Sequence, residues 1–267
     1  RRKRTTANCA KDPAIVWEAL ALLTDEDWSP EQISADMRKR GKNISHELIY
    51  RHIRADRTGG LASHCRHKMK YNRHGRPGRT TKVKNIPDRV SIHQRPAEAD
   101  GSRFGDWEMD TIVGKDGKGA IVTLTERSTN MLLMERLPQG KHPEPLAKVV
   151  IRLLFPYRKT IRSITTDNGS EFCAHRLISK ALMPKGTKNP NLVFFADSYS
   201  SWQKGAIENA NKLIRQYIPK GSDFSSLSDA FIRKIQHKLN RRPRKKLNFD
   251  SPKKAFFREI ANFALAS

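Results

Sequence analysis

The apolar residues of the first sixty positions recur at the three-to-four-residue spacing of amphipathic helices. Asp12 supplies an N-cap for one helix, and the segment 29–32, Ser-Pro-Glu-Gln, supplies a capping box for a second. Gly41 is a typical helix stop, and Ser45 then caps a third helix. Three short helices with a glycine-containing turn before the third predict a helix-turn-helix domain over 1–60.

The polar face of the third predicted helix carries residue types that contact DNA. Such side chains hydrogen-bond base edges in a major groove or hold phosphates. We therefore expect DNA contacts from His46, Tyr50, Arg51 and Arg54. An ordinary three-helix bundle with no ligand is the alternative interpretation.

The segment 61–103 has little apolar periodicity and many chain breakers, which indicates a basic linker. Its Gly-Arg-Pro core is flanked by further arginines, a composition suited to a narrow and strongly negative minor groove. The candidate DNA contacts here are Arg73, Arg76 and Arg79. A solvated strip that touches only phosphates is the alternative.

From Phe104 onward, short apolar strands and amphipathic helices alternate. Three successive strands precede the order helix, strand, helix, strand, helix, which predicts an α/β domain over 104–222 with a mixed sheet flanked by helices. Two further helices are expected in a C-terminal helical region, 223–267. The three predicted strands are 107–113, 119–125 and 131–137.

The charge of the chain indicates its partner. Lys and Arg number 52 against 27 Asp and Glu, a net charge of +25. This surplus becomes favourable beside a polyanion, because each neutralised phosphate releases counterions. Nucleic acid is therefore the expected partner, and Arg241 and Arg242 in the basic run 241–246 are further candidate contacts.

Two function classes are excluded by composition. No apolar run approaches the ~20 residues that a membrane span requires, so a transmembrane protein is excluded. Three widely spaced cysteines argue against a disulfide-stabilised scaffold and indicate a reducing cytosol.

Three acidic residues occupy positions that favour metal chemistry. Asp110 interrupts an apolar strand, Asp167 directly follows another, and Glu208 lies on a predicted helix. An acid on a central strand is costly unless a cation compensates its charge. Two Mg²⁺ ions held ~3.5–4 Å apart by shared carboxylates are an arrangement used for in-line phosphoryl transfer.

Each of these residues also has an ordinary interpretation. Asp110 is compatible with an edge strand facing water, and Asp167 with a simple turn. Glu208 is compatible with a solvent-facing ion pair to a lysine four residues away, such as Lys204. Trp202 either stacks on a base or flank of DNA or packs into the protein, and packing is the more ordinary of the two.

Long and ordered motifs carry a family resemblance. They span nearly the whole chain, from residue 29 to residue 257. They resemble the DDE transposases of bacterial insertion sequences, in the insertion-sequence-thirty family. The motifs are 29–33, 44–50, 106–114, 166–172, 199–205, 208–211, 215–221 and 239–245.

The resemblance implies an RNase H-like core in which Asp110, Asp167 and Glu208 form the catalytic triad and hold two Mg²⁺ or Mn²⁺ ions. It implies binding to the terminal inverted repeats of double-stranded DNA, strand cleavage, and transfer into target DNA. It further implies a homodimer or larger oligomer on DNA and a cytoplasmic location at the nucleoid. Asn209 is an additional candidate DNA contact. Because relatives commonly carry another N-terminal helix-turn-helix that is not evident before Asp12, we expect the chain to be a piece of a longer protein.

The chain departs from the family pattern at three places, one of which is a long stretch between Asp167 and Glu208, where 185–191 is interpreted as an insertion. Asp106 stands where the family usually has His, and residues 206–207 are Ala-Ile where it usually has Thr-Asn. Asp106 and Asp197 are therefore competing acids near the predicted triad. Two other functions stay open: a DNA-binding repressor or architectural protein with an inactive core, and a nuclease without strand transfer.

Overall fold

The computed structural model describes residues 11–69, 86–137, 139–183, 191–198 and 200–266. Internal contacts divide the chain into two compact units. The first comprises the N-terminal helices together with Arg242–Asp250, and the second comprises the rest of the chain. The predicted linker contacts Arg73, Arg76 and Arg79 lie outside the described residues.

The first unit is built from helices that start where the capping signals predicted. Ser29 and Gln32 form a reciprocal capping box, and Ser45 accepts a hydrogen bond from the backbone of the third helix. Gly41 adopts a φ of +77°, the left-handed conformation that ends a helix. The apolar faces meet in one small core. The helices are α1 (Pro13–Glu26), α2 (Pro30–Lys39), α3 (His46–Ala55) and α4 (Gly60–Ser63).

The segment Arg242–Asp250 packs on α2 within this first unit. Gln32 donates to the carbonyl of Pro243 at 2.8 Å, and Lys39 donates to the carbonyl of Asn248 at 2.5 Å. The basic run predicted as a loop of the C-terminal region is thus a structural part of the N-terminal unit.

The second unit contains one five-stranded sheet in the order β3-β2-β1-β4-β5. β1, β2 and β3 pair antiparallel, whereas β4 runs parallel to β1 and β5 runs parallel to β4. This arrangement confirms the mixed RNase H-like sheet. It also makes β1 a central strand. The strands are β1 (Asp106–Val113), β2 (Ala120–Glu126), β3 (Leu132–Leu137), β4 (Ser163–Thr166) and β5 (Val193–Phe195).

Helices cover both faces of this sheet, so the fold is α/β as predicted. On one face, Trp107 and Met109 of β1 pack in a core with α5, α6 and α9. On the other, Ile112 packs in a second core with α7 and α8. Because strand side chains alternate between faces, Glu108 and Asp110 point to the α7 side, like Ile112. The helices are α5 (Pro143–Leu154), α6 (His175–Leu182), α7 (Gly205–Ile214), α8 (Asp229–Arg241) and α9 (Pro252–Ala266).

Residues 86–103 of the predicted linker belong to the second unit. Ile86 is buried in its larger core, and Phe195 donates its backbone N–H to the carbonyl of Val90 at 2.8 Å. Arg95 donates to the hydroxyl of Thr165 at 2.7 Å. The sequence pattern did not predict this packing, because the apolar residues of the segment follow no regular period. Within the described ranges, no helix is long and apolar enough to cross a membrane.

Candidate active site

The structure brings Asp110 and Asp167 together beside one buried cation. The parallel register pairs Glu108 on β1 with Thr165 on β4. Two residues further along each of these segments, Asp110 therefore lies beside Asp167. The Lys204 ammonium lies 3.9 Å from Asp110 Oδ1 and 3.3 Å from Asp167 Oδ2. Lys204 therefore contacts the two aspartates, and the edge-strand interpretation of Asp110 is wrong because β1 is central.

Asp110 is the most strongly perturbed acid of this site. Burial removes water from its charged form and raises its pKa to about 6. The positive charge of Lys204 lowers this pKa, whereas the negative charges of Asp167 and Glu171 raise it. The Asp110 carboxylate thus lacks full charge compensation, which is the condition under which a carboxylate gains most from binding a further cation.

The loop after β4 fixes the orientation of Asp167. The backbone N–H of Gly169 donates to Asp167 Oδ1 at 3.0 Å, and Asn168 donates to the carbonyl of Ala196 at 2.8 Å. A Cβ atom at Gly169 would lie 2.6 Å from a Glu171 oxygen, so a larger residue there would displace the Glu171 carboxylate. The other oxygen of Asp167 is left to face Lys204.

Glu171 is a fourth acid of this site, which sequence reasoning missed. Its side chain is buried, and its Oε1 accepts from the Thr111 hydroxyl at 2.8 Å and from Lys141 at 3.1 Å. The available signal was its position four residues after Asp167 within the same motif.

Helix α7 is attached to β1 by two polar contacts. Asn211 donates to Asp110 Oδ2 at 2.9 Å and accepts from the Thr123 hydroxyl at 3.0 Å. Glu108 accepts from the backbone N–H of Ile207 at 2.8 Å. The helix that carries Glu208 is therefore held directly over Asp110.

The third predicted ligand, Glu208, lies half-buried in the first turn of α7. Its carboxylate is not grouped with the two aspartates: among the residues that the structure describes, no three His, Cys, Asp or Glu side chains lie close enough together to hold a metal ion. The structure thus brings together two of the three predicted acids and places the third on an adjacent element.

The two competing acids have other partners. Arg103 makes two hydrogen bonds to the buried carboxylate of Asp106, at 2.8 and 2.9 Å. Asp197 accepts from Gln203 at 2.9 Å and contacts His93 at 2.9 Å. Both carboxylates are thereby engaged away from Lys204.

The donor set at Asp110 and Asp167 fits a hard divalent cation such as Mg²⁺. Carboxylate oxygens, here from β1 and from the loop that follows β4, are the ligands that Mg²⁺ prefers. The ammonium of Lys204, whose side chain is 7% exposed, already shows that this position favours a positive charge.

The candidate DNA contacts differ in exposure. His46, Arg51 and Arg54 are exposed on α3, and Tyr50 is half-buried beneath the Arg54 guanidinium. Asn209 and Arg241 are also exposed.

Two candidate residues differ in exposure from what the sequence indicated. Arg242 is only 3% exposed, because the segment Arg242–Asp250 folds into the first unit. A contact with DNA requires an accessible side chain, so the role of Arg242 as a DNA contact stays a prediction. Trp202 is 76% exposed, so the interpretation that it packs into the protein is wrong.

Comparisons with known proteins identify relatives along most of the chain, although no protein-family model matches it. A transposase for insertion sequence element IS4351 of Bacteroides fragilis is 40% identical over 94% of this chain and 74% of its own length. A transposase for IS1086 of Cupriavidus metallidurans is 35% identical over 97% and 77%. Transposase InsI for IS30A of Escherichia coli is 32% identical over 95% and 67%.

Among solved structures, the catalytic core domain of BIV integrase is similar, with a TM-score of 0.45 and 18% identity over 60% of this chain and 98% of that domain. The strand order and strand directions define the fold, and the three sequence relatives define the family. The chain belongs to the family of insertion-sequence transposases that includes those of IS4351, IS1086 and IS30.

Proposed function

We propose that the chain binds the terminal inverted repeats of its element and carries out divalent-metal-dependent strand cleavage and strand transfer. Asp110, Asp167 and Glu208 are the acidic residues of the reaction. The observation that carries the proposal is the pair of aspartates, one on β1 and one directly after the parallel strand β4, which lie 3.9 and 3.3 Å from one buried ammonium.

The family assignment supports the class of reaction, since the relatives are named as transposases. The geometry supports the site. Asp110 is oriented by Asn211 and by the backbone of Thr111, and Asp167 is oriented by the backbone of Gly169. Glu208 is assigned as the third acid because α7 is bonded to Asp110 itself through Asn211.

The chemistry divides between the chain and its bound cations. Divalent cations, when bound, activate the attacking oxygen and stabilise the leaving oxygen of an in-line displacement. The carboxylates of Asp110 and Asp167 would hold those cations, so that a phosphodiester bound there is positioned for the reaction. Positioning of this kind provides most of the catalysis in phosphoryl transfer.

The rest of the chain supplies DNA affinity. A net charge of +25 favours association with the phosphate backbone at any sequence. The exposed face of α3, with His46, Arg51 and Arg54, provides the residue types that distinguish base pairs. Assembly of at least two copies on two element ends completes the proposal.

The test is a reaction on labelled inverted-repeat DNA with Mg²⁺ or Mn²⁺. The wild-type chain is expected to give both cut and joined products, and Glu208→Gln and Asp110→Asn are expected to give neither. Asp197→Asn is the matched control, because this neighbouring acid contacts Gln203 and His93 instead. Equal activity of Glu208→Gln and wild type would show that the site is wrongly assigned.

The same reaction separates the two alternative functions. A repressor or architectural protein would bind the DNA in EDTA and give no cut product with Mn²⁺. A nuclease would give cut products that are never joined to target DNA.

A further inference from the structure

Trp202 is a large apolar side chain exposed beside the candidate active site. It belongs to the 3-10 turn Ser201–Lys204, which leads directly into α7, and 76% of its surface is accessible. Tryptophan is highly buried on average, so such exposure next to a reaction centre requires an explanation.

The residues that follow Trp202 are firmly held. The Gln203 side chain accepts a hydrogen bond from the backbone N–H of Asp197 at 2.8 Å and donates one to the Asp197 carboxylate at 2.9 Å. The backbone N–H of Gln203 donates to the carbonyl of Ser200 at 3.0 Å. Lys204 is buried between the two aspartates. The turn therefore has a defined conformation that directs the indole away from the protein.

Trp202 lies close along the chain to the residue that contacts both aspartates. Two residues of chain span at most about 7 Å, and Trp202 is two residues from Lys204. Successive bases of one strand are about 3.4 Å apart along the duplex axis. A strand whose phosphate is held at Asp110 and Asp167 therefore passes close to the turn that carries Trp202.

We propose that Trp202 stacks on an unpaired base of the DNA strand next to the reacting phosphate. The proposal rests on the proposed function, because it needs DNA at this site. A flat aromatic face binds any base, and the positively charged chain supplies the attraction for the backbone. Stacking holds the strand end in place and orients its phosphate toward the aspartates.

The experiment uses inverted-repeat duplexes carrying the fluorescent base 2-aminopurine one or two nucleotides from the cleavage point. Trp202→Ala is compared with Trp17→Ala, a matched control whose indole is 77% exposed in the first unit. Trp202→Phe keeps a flat ring, and Trp202→Leu keeps an apolar side chain without one. The readouts are 2-aminopurine fluorescence in the complex and the cleavage rate with Mn²⁺.

In the complexes of wild type and Trp17→Ala, the 2-aminopurine emission is expected to be strongly quenched, because the unpaired base stacks on the indole of Trp202. Trp202→Ala and Trp202→Leu should abolish this quenching and slow cleavage by about 5- to 150-fold. Trp202→Phe should retain most of both. The thermal unfolding of all variants should match wild type, because the indole is exposed. If Trp202→Ala fails to fold, the comparison of Trp202→Phe with Trp202→Leu tests whether a flat ring is required.

Two outcomes overturn the proposal: Trp202→Ala behaves like Trp17→Ala, or Trp202→Leu behaves like Trp202→Phe. Failure of the proposed function gives a different result, namely no cleavage by wild type itself. In that case the fluorescence measurement still tests stacking independently.

Discussion

Glu108 on β1 accepts a hydrogen bond from the backbone N–H of Ile207 on α7, at 2.8 Å. Its other oxygen lies 2.9 Å from Arg127, and its side chain is 1% exposed. Burial raises the pKa of Glu108, whereas the bonds from Ile207 and Arg127 lower it. One buried carboxylate thus joins the strand of Asp110 to the helix of Glu208.

Replacement of Glu108 by Ala should strongly destabilise the protein. The substitution leaves Arg127 without its buried carboxylate and the Ile207 N–H without its acceptor, so we expect a loss of about 3–5 kcal/mol in the free energy of unfolding. Urea denaturation measures this loss. Glu98→Ala is the control, because the 71% exposed Glu98 lies 4.0 Å from Arg103 and such surface pairs contribute little. A similar small effect for both variants would contradict the structural role of Glu108.

The raised pKa of Asp110 gives the stability a defined pH dependence. The ordinary pKa of 3.8 applies to the unfolded chain, and a pKa of about 6 applies to the folded one. Between these values the folded state binds more protons, so the contribution of Asp110 becomes less favourable as pH rises through this window. Above pH ~6 the charged Asp110 destabilises the fold by about 3 kcal/mol at most.

Asp110→Asn should therefore stabilise the metal-free protein at pH 7.5 by up to about 3 kcal/mol and have little effect near pH 4. Denaturation of both proteins at the two pH values measures the difference. Asp197→Asn should give no such gain, since hydrogen bonds from Gln203 and His93 lower the pKa of Asp197. No gain for Asp110→Asn at pH 7.5 would show that Lys204 already compensates Asp110 fully.

The same protonation should control cation binding. Because a carboxylate ligand must be deprotonated, Mn²⁺ affinity is expected to fall about tenfold for each pH unit below the Asp110 pKa of about 6. Titration calorimetry with Mn²⁺ between pH 5 and 7.5 measures the dependence. In Asp110→Asn the affinity should be low at every pH. A pH-independent affinity in the wild type would place the cation elsewhere.

Local signals in the sequence predicted the elements well. Ser29 and Gln32 form their capping box entirely within one helix turn, so four adjacent residues contain all the information. The carboxylate at Asp110 was equally visible, because an acid in an apolar strand breaks a local pattern. Both features depend only on near neighbours in the chain.

Features that depend on distant contacts were missed. Arg242 is buried because its segment packs on α2, where Gln32 contacts Pro243 across 211 positions of sequence. Glu108 acquires its role from Ile207, 99 positions away. Neither partner can be identified from spacing or periodicity, since a tertiary contact leaves no periodic trace in either segment.

The contrast between Arg51 and Arg242 separates DNA contact from structural burial. Arg51 is exposed on α3, so Arg51→Ala should weaken binding to inverted-repeat DNA by about 5- to 150-fold if it contacts a base, or reduce the log–log salt slope by about 0.9 if it contacts a phosphate. Its unfolding transition should be unchanged. Arg242→Ala should instead lower the free energy of unfolding and leave DNA affinity and its salt slope unchanged, because a side chain that is 3% exposed contributes packing. Binding measured at several salt concentrations, together with urea denaturation, tests both variants. A lowered salt slope with normal stability for Arg242→Ala would identify Arg242 as a DNA contact.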